Sequence, residues 1–527
     1  MMRFTLSRIL LVKALLILST AGADRQVFAE TNSAPQQTSR PNILLCVSDD
    51  HSWRHFGAYG DLAVKSPAFD RVAREGVLFQ RAYTACPSCT ASRSAILTGQ
   101  PIWRLEEGSV FGCTLPRKFD VFPVLLQAGG YHVGWTGKGW GPGNLEPGGW
   151  NGEYPQGIPY NKLHVDKTEI GLRVSNFDYA ANFASFLKDK PRDTPFAFWC
   201  GFTEPHRGYA AGSGLRAGKK LADAGLPGHL PDQLEVRSDI LDYSLEIEYL
   251  DAHLGRMLRS LEQAGELDNT LVIVTSDQGM PFPRSKPTLY DIGTHVPLAI
   301  RWPARVPGGR IADDFVSLTD VAPTILEAVG VEIPLAMTGR SLIRLLTSEQ
   351  SGQIDPSRTW IVTALERHGP YRRGDVGYPC RALHTEQYLY IWNINPERWP
   401  AGDGEFNSYI PARNPYPEID PGPTKDYLIQ RRDDPAFARY VELAFGKHPA
   451  EELYDAVRDP DQLNNLADKP EFEQIKRQLR DQLEEYLRQT LDPRVRGENP
   501  FDQYRWDRRN SFQSTFGVPA RPAAPIK

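Results

Sequence analysis

Four short apolar runs set the limits on what this chain can fold into. Residues 42–47, 131–136, 196–202 and 271–275 are rich in Ile, Val, Leu, Phe and Trp and show little of the polar alternation of a half-exposed strand. Between them, at 69–75, 177–187 and 240–264, apolar residues recur with helical i, i+3/i+4 spacing. Strands buried on both faces and separated by helices form a largely parallel sheet between helix layers. The expected fold class is α/β, with this sheet occupying residues 40–375. A smaller α+β subdomain is expected at 376–495, with short strands within 381–392 and 452–455. Phe472, Ile475, Leu479, Leu483, Tyr486 and Leu487 then mark one face of an amphipathic helix. Residues 496–527, rich in Arg, Asn and Pro, read as an extended tail.

The N-terminus reads as an export signal. Arg3, Arg8 and Lys13 precede or interrupt an apolar stretch, and Ala21-Gly22-Ala23 offers a small-residue cleavage site, with Ala29 as a second candidate. The apolar run falls short of the ~20 residues of a spanning helix, so residues 1–23 are expected as a cleaved leader and not a membrane anchor. The expected location is periplasmic or secreted, or a lysosome-like compartment in a eukaryote. With 60 basic and 65 acidic side chains the net charge is -5, against a nucleic-acid partner, which would call for a basic face. Six cysteines in 527 residues do not make a disulfide framework, and Cys46 and Cys200 fall inside apolar runs as inert core residues.

Each apolar run ends in chemistry. Residues 42–47 lead into Ser48-Asp49-Asp50, and 131–136 into Gly137-Lys138. Residues 196–202 lead into Thr203-Glu204-Pro205-His206-Arg207, and 271–275 into Ser276-Asp277-Gln278-Gly279. Open α/β sheets bind ligands beyond the carboxyl ends of their strands. A lone aspartate there caps a helix or shapes a loop. Asp49, Asp50 and Asp277 on one rim need a counter-charge, which a divalent cation supplies. All-oxygen ligation, with Gln278 adding a carbonyl, suits calcium, with magnesium as the alternative; zinc favours imidazole and thiolate.

The stretch Cys86-Pro-Ser-Cys89-Thr-Ala-Ser-Arg93-Ser-Ala-Ile-Leu-Thr-Gly99 admits three readings. One is a redox Cys-x-x-Cys, and a second is a disulfide or plain core burial. In the third, the Cys89-x-Ala-x-Arg93 pattern opens a helix whose free N–H groups face an anion.

That stretch resembles the signature of the type I sulfatases, in which Cys-x-Pro/Ala-x-Arg is read by a maturation enzyme that oxidises the cysteine to Cα-formylglycine. Cys89 and Arg93 are the matching positions, with Ala91 where proline is commoner. The resemblance extends over nearly the whole chain after the leader. Arg40-Pro-Asn-Ile-Leu-Leu with Asp49-Asp50 resembles the family's opening strand and metal pair, and Ser66 to Gly76 its first helix. Ser276-Asp277-Gln278-Gly279 resembles the second metal motif, and Glu452-Leu-Tyr-Asp455 with Asn465-Leu-Ala467 the C-terminal signature. An alkaline phosphatase-like fold is implied. Within the family, Gly279-Met-Pro-Phe-Pro283, Thr288-Leu-Tyr290 and Glu204-Pro-His-Arg207 are most similar to the heparan N-sulfatase group.

The resemblance implies a sulfated saccharide substrate, most closely the N-sulfate of glucosamine, with an O-sulfate of another polysaccharide as the alternative. It implies that hydrated formylglycine at position 89 attacks sulfur beside the cation bound by Asp49, Asp50, Asp277, Gln278 and residue 89. Arg93 would stabilise the nucleophile, Lys138 and Lys286 would hold the sulfonate, and His206 would protonate the leaving group, since histidine exchanges protons near neutrality. Arg207 is expected to bind a substrate anion or to brace Glu204. Two positions depart from the pattern: Trp140 stands where many sulfatases carry histidine, and Gln278 where Asn or His is usual. Two rivals remain, a phosphoesterase of the same superfamily and a carbohydrate-binding scaffold without activity. Too few strand-end histidines for a pair of zinc ions weigh against the first.

Overall fold

The computed structural model describes residues 40–166, 172–404 and 415–506. The expected leader at 1–23 and the tail beyond 506 lie outside the described residues. In chain order the strands are β1 (Asn42–Ser48), β2 (Val77–Phe79), β3 (Ala82–Tyr83), β4 (His132–Gly137), β5 (Ile158–Pro159), β6 (Phe196–Gly201) and β7 (Thr270–Ser276). They continue as β8 (Leu298–Arg301), β9 (Arg310–Ala312), β10 (Val316–Ser317), β11 (Trp360–Leu365), β12 (Cys380–Thr385), β13 (Tyr388–Asn393) and β14 (Glu451–Asp455).

Eight strands form the large sheet in the order β5-β4-β6-β1-β7-β8-β2-β9. All run parallel except β8, which is antiparallel to β7 and to β2. The central strand β1 is buried at all seven positions, between β6 and β7 in register Cys46↔Cys200 and Cys46↔Val274. Its side chains alternate between two apolar clusters: Leu44 and Cys46 enter one, Ile43, Leu45 and Val47 the other. This two-sided burial is why the strands read as unbroken apolar runs. The long helix Leu234–Gln263 covers the Leu44 face, packing on helices Pro67–Arg74 and Tyr179–Asp189.

The adjacency β4-β6-β1-β7 has a direct consequence. All four strands run the same way, so Lys138, His206, Asp49–Asp50 and Asp277–Gln278 leave the sheet at one rim.

The second sheet is an antiparallel meander, β11-β12-β13-β14, with helix Glu473–Gln489 against β12 and β13. It begins at Trp360, ahead of the expected boundary at 376, because β11 pairs with β12 from Trp360↔Thr385 to Leu365↔Cys380. Val362, Leu389, Leu453 and Leu483 join the same apolar cluster as Leu44, so the two sheets share a continuous core. No described helix is long and apolar enough to cross a membrane.

Candidate active site

Two backbone features turn side chains into the rim. Gly137 has φ 77°, and a Cβ there would lie 2.1 Å from Gly201 O, so only glycine lets β4 hand Lys138 to the site. Asp50 holds φ 67°, a left-handed conformation that Asp tolerates better than most residues.

Cys89 is the first residue of helix Cys89–Thr98, every residue of which is buried. Ser88 stands at the N-cap, but its hydroxyl meets His368 Nδ1 at 2.9 Å and does not cap the first turn. Arg93 follows one turn after Cys89 and projects from the same face. Its Nε donates to Asp277 Oδ2 at 2.8 Å, and Nη1 to the carbonyls of Lys138 and Gly139 at 3.1 Å. Its Nη2 is buried without a hydrogen bond, 3.9 Å from Asp49 Oδ1. The thiol of Cys89 donates to Asp49 Oδ1 at 3.5 Å. Burial, with Asp49 adding to it, pushes that thiol up to about 12. A thiol held protonated is a poor nucleophile and a poor redox group. All six cysteines, Cys86 included, are free, so the disulfide reading does not describe this stretch, and burial holds the Cys86 thiol well above its usual range too, against the redox reading.

The three aspartates are fully buried. Asp49 accepts from Lys138 Nζ and Asp50 from Lys286 Nζ, the latter at 3.0 Å. Burial opposes ionisation of Asp49, but Lys138, His206 and Arg93 outweigh it and hold the carboxyl well below the usual range. Burial pushes Asp277 up to about 7, with Arg93 opposing and Asp49 adding. Of the three, Asp277 is the carboxylate least compensated by the cationic side chains present. Gln278 Nε2 donates to Asp50 Oδ1 at 2.5 Å and to Cys89 Sγ at 2.9 Å, while its Oε1 is buried without a partner. Asp49, Cys89 and Asp277 each offer an atom within 4.8 Å of the others. Buried carboxylates and an orphaned amide oxygen beside position 89 fit a hard divalent cation.

A second acidic group, Asp50, His206 and Asp420, also clusters within 4.8 Å. Lys286 Nζ already lies 3.0 Å from Asp50 and 3.5 Å from Asp420, so an ammonium occupies the position a cation would take there. His206 Nδ1 donates to Arg207 O at 2.7 Å, which leaves Nε2 toward Asp50 Oδ2 at 3.8 Å. With Nδ1 committed, Nε2 can donate only from the imidazolium.

Comparison with known proteins settles the family. The family model described as sulfatase matches residues 41–331, more than half of the chain. The chain belongs to the sulfatase family. A second model, described as the C-terminal part of N-sulphoglucosamine sulphohydrolase, matches residues 284–399. The sulfatase is 28% identical to the human N-sulphoglucosamine sulphohydrolase over 87% of this chain and 92% of that protein. It is 27% identical to an ulvan-active sulfatase of Formosa agariphila over 84% of this chain and 79% of that one. Among solved structures it is similar to a protein bound to its substrate D-glucosamine-2-N,6-O-disulfate, with a TM-score of 0.61, 21% identity and coverage of 88% and 99% of the two chains. Its fold is the alkaline phosphatase-like fold, and the sulfatase is a sulfohydrolase.

The structure gathers Asp49, Asp50, Cys89, Arg93, Lys138, His206, Asp277, Gln278 and Lys286 into one contacting cluster. Arg207 needs correction. Its Nη1 and Nη2 each reach Asp239 at 2.8 Å, its Nε donates to Pro281 O at 2.7 Å, and Phe282 lies under its face at 4.2 Å. Three of its five N–H donors are spent inside the protein and its side chain is 4% exposed, which places it as an internal tie, and Glu204 is held instead by Ser175 N and Tyr179 OH. Trp140 donates to Ser94 Oγ at 2.8 Å and is fully buried, a packing residue in the position of the usual histidine. His295 stacks between Trp53 and Tyr83 and bonds Asp291, and His51 bonds the carbonyl of His55; both shape the loops behind the aspartates.

Two residues at the pocket escaped the sequence reading. Asp420 touches Lys286, and His368 touches Ser88. Burial, then Lys286, drives His368 well below the usual histidine range, so it is neutral. Neither lies at a strand end of the large sheet, and nothing in the local sequence marks them.

Proposed function

We propose that this sulfatase removes the N-sulfate of glucosamine in heparan-type glycans after export, and after a maturation enzyme has converted Cys89 to Cα-formylglycine. The observation that carries this reading is the match of residues 284–399 to the N-sulphoglucosamine sulphohydrolase C-terminal model, because that segment contributes Lys286 and His368 to the pocket. When in place, the hydrated aldehyde supplies an oxygen nucleophile and a second hydroxyl able to expel sulfate. Asp49, Asp50, Asp277 and Gln278 would hold calcium or magnesium, which would lower the proton affinity of that nucleophile.

The chain's own groups do the rest. Arg93 Nη2, buried and unspent, adds positive charge beside position 89. Lys138 and Lys286 exchange their carboxylate partners for sulfonate oxygens as substrate enters. His206, partly exposed at the pocket edge, presents Nε2 to the leaving nitrogen and gives it a proton. The first-turn N–H groups of helix Cys89–Thr98 reinforce the positive potential.

The test uses protein made with the maturation enzyme and calcium, with residue 89 checked by mass spectrometry. The substrate is a heparan disaccharide bearing one N-sulfate and one O-sulfate, read by NMR. Loss of the N-sulfate alone is expected. Loss of the O-sulfate alone would overturn the N-sulfate assignment and favour the second reading, an O-sulfatase, to which the ulvan-active relative lends weight. Intact substrate with converted residue 89 would move the reading to a different sugar or to an inactive scaffold.

A further inference from the structure

The pocket carries one negative charge that neither the cation nor the sulfonate can use. Asp420 lies just before helix Pro423–Gln430, and its side chain is 26% exposed, whereas those of Lys286 and Asp50 are 3% and 0%. Its Oδ2 lies 3.5 Å from Lys286 Nζ, the one hydrogen bond it makes among the described residues. One of its oxygens comes within 4.8 Å of a ring nitrogen of His206. Burial opposes its ionisation, but Lys286, then His206, keeps the carboxyl well below its usual range. It is more exposed than Asp49, Asp50 or Asp277, in a site proposed to take anionic substrates.

Repulsion would make that placement costly unless the carboxylate meets something other than sulfate. Its position says what. His206 marks the leaving-group side of the pocket. A carboxylate this close to the proton donor stands beside the substituents one or two bonds from the leaving atom. On a sugar ring those are hydroxyl groups, which donate to a carboxylate strongly. A second anion at that ring position would be repelled.

The loop is built to hold this geometry. Asp239 accepts from Arg207 on one side and from Thr424 N and Oγ1, at 3.2 and 2.6 Å, on the other. Lys425 Nζ ties down Ile419 O at 2.7 Å. A Cβ at Gly422 would fall 2.3 Å from Arg207 Nη1, so the loop packs directly on the guanidinium. Arg207 thus ties the His206 loop to the Asp420 loop.

We propose that Asp420 is a specificity-determining residue that accepts a hydrogen bond from the ring hydroxyl vicinal to the sulfated position. This rests on the saccharide reading above and deepens it. The substrate class is a sulfated pyranose with a free neighbouring hydroxyl.

The test compares the mature sulfatase with its Asp420→Asn variant on three probes: N-sulfoglucosamine, its 3-deoxy analogue, and 4-nitrophenyl sulfate, which has no ring hydroxyl. In the wild type, removing the hydroxyl is expected to lower kcat/KM by about 10–100-fold. Asp420→Asn is expected to lose about as much on N-sulfoglucosamine, little more on the deoxy sugar, and less than about threefold on 4-nitrophenyl sulfate. Equal losses on all three probes would overturn the inference and make Asp420 a positioning residue for Lys286. Unchanged sugar turnover would overturn it as well. Should the wild type desulfate another sugar and not N-sulfoglucosamine, the N-sulfate reading fails alone. The preference for that sugar over 4-nitrophenyl sulfate, compared between the two proteins, then decides on Asp420.

Discussion

Gln278 spends its amide nitrogen on Asp50 and Cys89 and leaves its carbonyl oxygen buried and alone. An unsatisfied buried acceptor costs about 1–3 kcal/mol, a cost that a cation with this oxygen as ligand would remove. Calcium at a hundredfold its Kd is expected to stabilise the fold by about 2.7 kcal/mol, read as a rise in Tm over the EDTA-treated protein. Gln278→Leu keeps the bulk, removes the ligand and should require a higher calcium concentration for the same rise. A wild-type Tm indifferent to calcium and to magnesium would remove the metal from the site. Arg207 makes a different prediction, because its partner is internal. Arg207→Ala leaves Asp239 buried without its counter-charge, which should destabilise by about 3–5 kcal/mol in urea titrations. Arg207→Lys should recover little of that, because an ammonium cannot reproduce the two-pronged contact. A substrate ligand would instead raise KM and leave stability untouched.

At the level of elements, legibility followed burial. β1 and β7 are buried at every position, and their sequences announce them. The helix Glu473–Gln489 was legible because Leu479, Leu483 and Leu487 share one buried face. Leu483→Ala should cost about 2–5 kcal/mol, since the side chain lies between the helix and the small sheet. Arg477→Ala, on the exposed face, should change stability by less than about 0.5 kcal/mol by the same urea measurement. The boundary of the small sheet was not legible, because β11 is defined by pairing with β12 and not by a change in composition. The site divided the same way. Residues at strand ends could be placed together from topology rules, so Asp49, Lys138 and Asp277 were foreseeable. Asp420 and His368 reach the pocket from irregular segments 134 residues beyond Lys286 and 280 beyond Ser88, respectively, and only tertiary folding brings them there. The internal tie of Arg207 was not legible, because its partner, Asp239, sits in the long helix and carries no motif.

The shared core makes a claim about the whole molecule: the two sheets should unfold together. Two buried histidines can report on it separately. His253 lies in the long helix beside Tyr179 and Tyr249, and burial, reinforced by Arg256 against Asp178, pushes it down to about 4. His384 lies in β12, where burial, with Asp291 opposing and His295 adding, pushes it down to about 4. In the unfolded chain both take up a proton below about 6.5, whereas the folded chain refuses it until about 4. Each therefore favours the fold above pH 6.5, and its contribution fades as pH falls from about 6.5 to about 4. The slope is at most about 1.4 kcal/mol per pH unit for each histidine. Asp251, pushed up to about 7 by burial, acts in the opposite direction, so the net acid response is a difference and single substitutions isolate the parts. His253→Asn and His384→Gln should each flatten stability against pH between about 4 and 6.5, measured by urea titration at fixed pH. If the sheets are one cooperative unit, both changes appear in the same transition, followed by near-ultraviolet circular dichroism. Should His384→Gln shift an early transition that His253→Asn leaves in place, the small sheet unfolds on its own. The walls of the pocket contributed by Asp420 and His368 would then be the first part of the site to be lost on acidification.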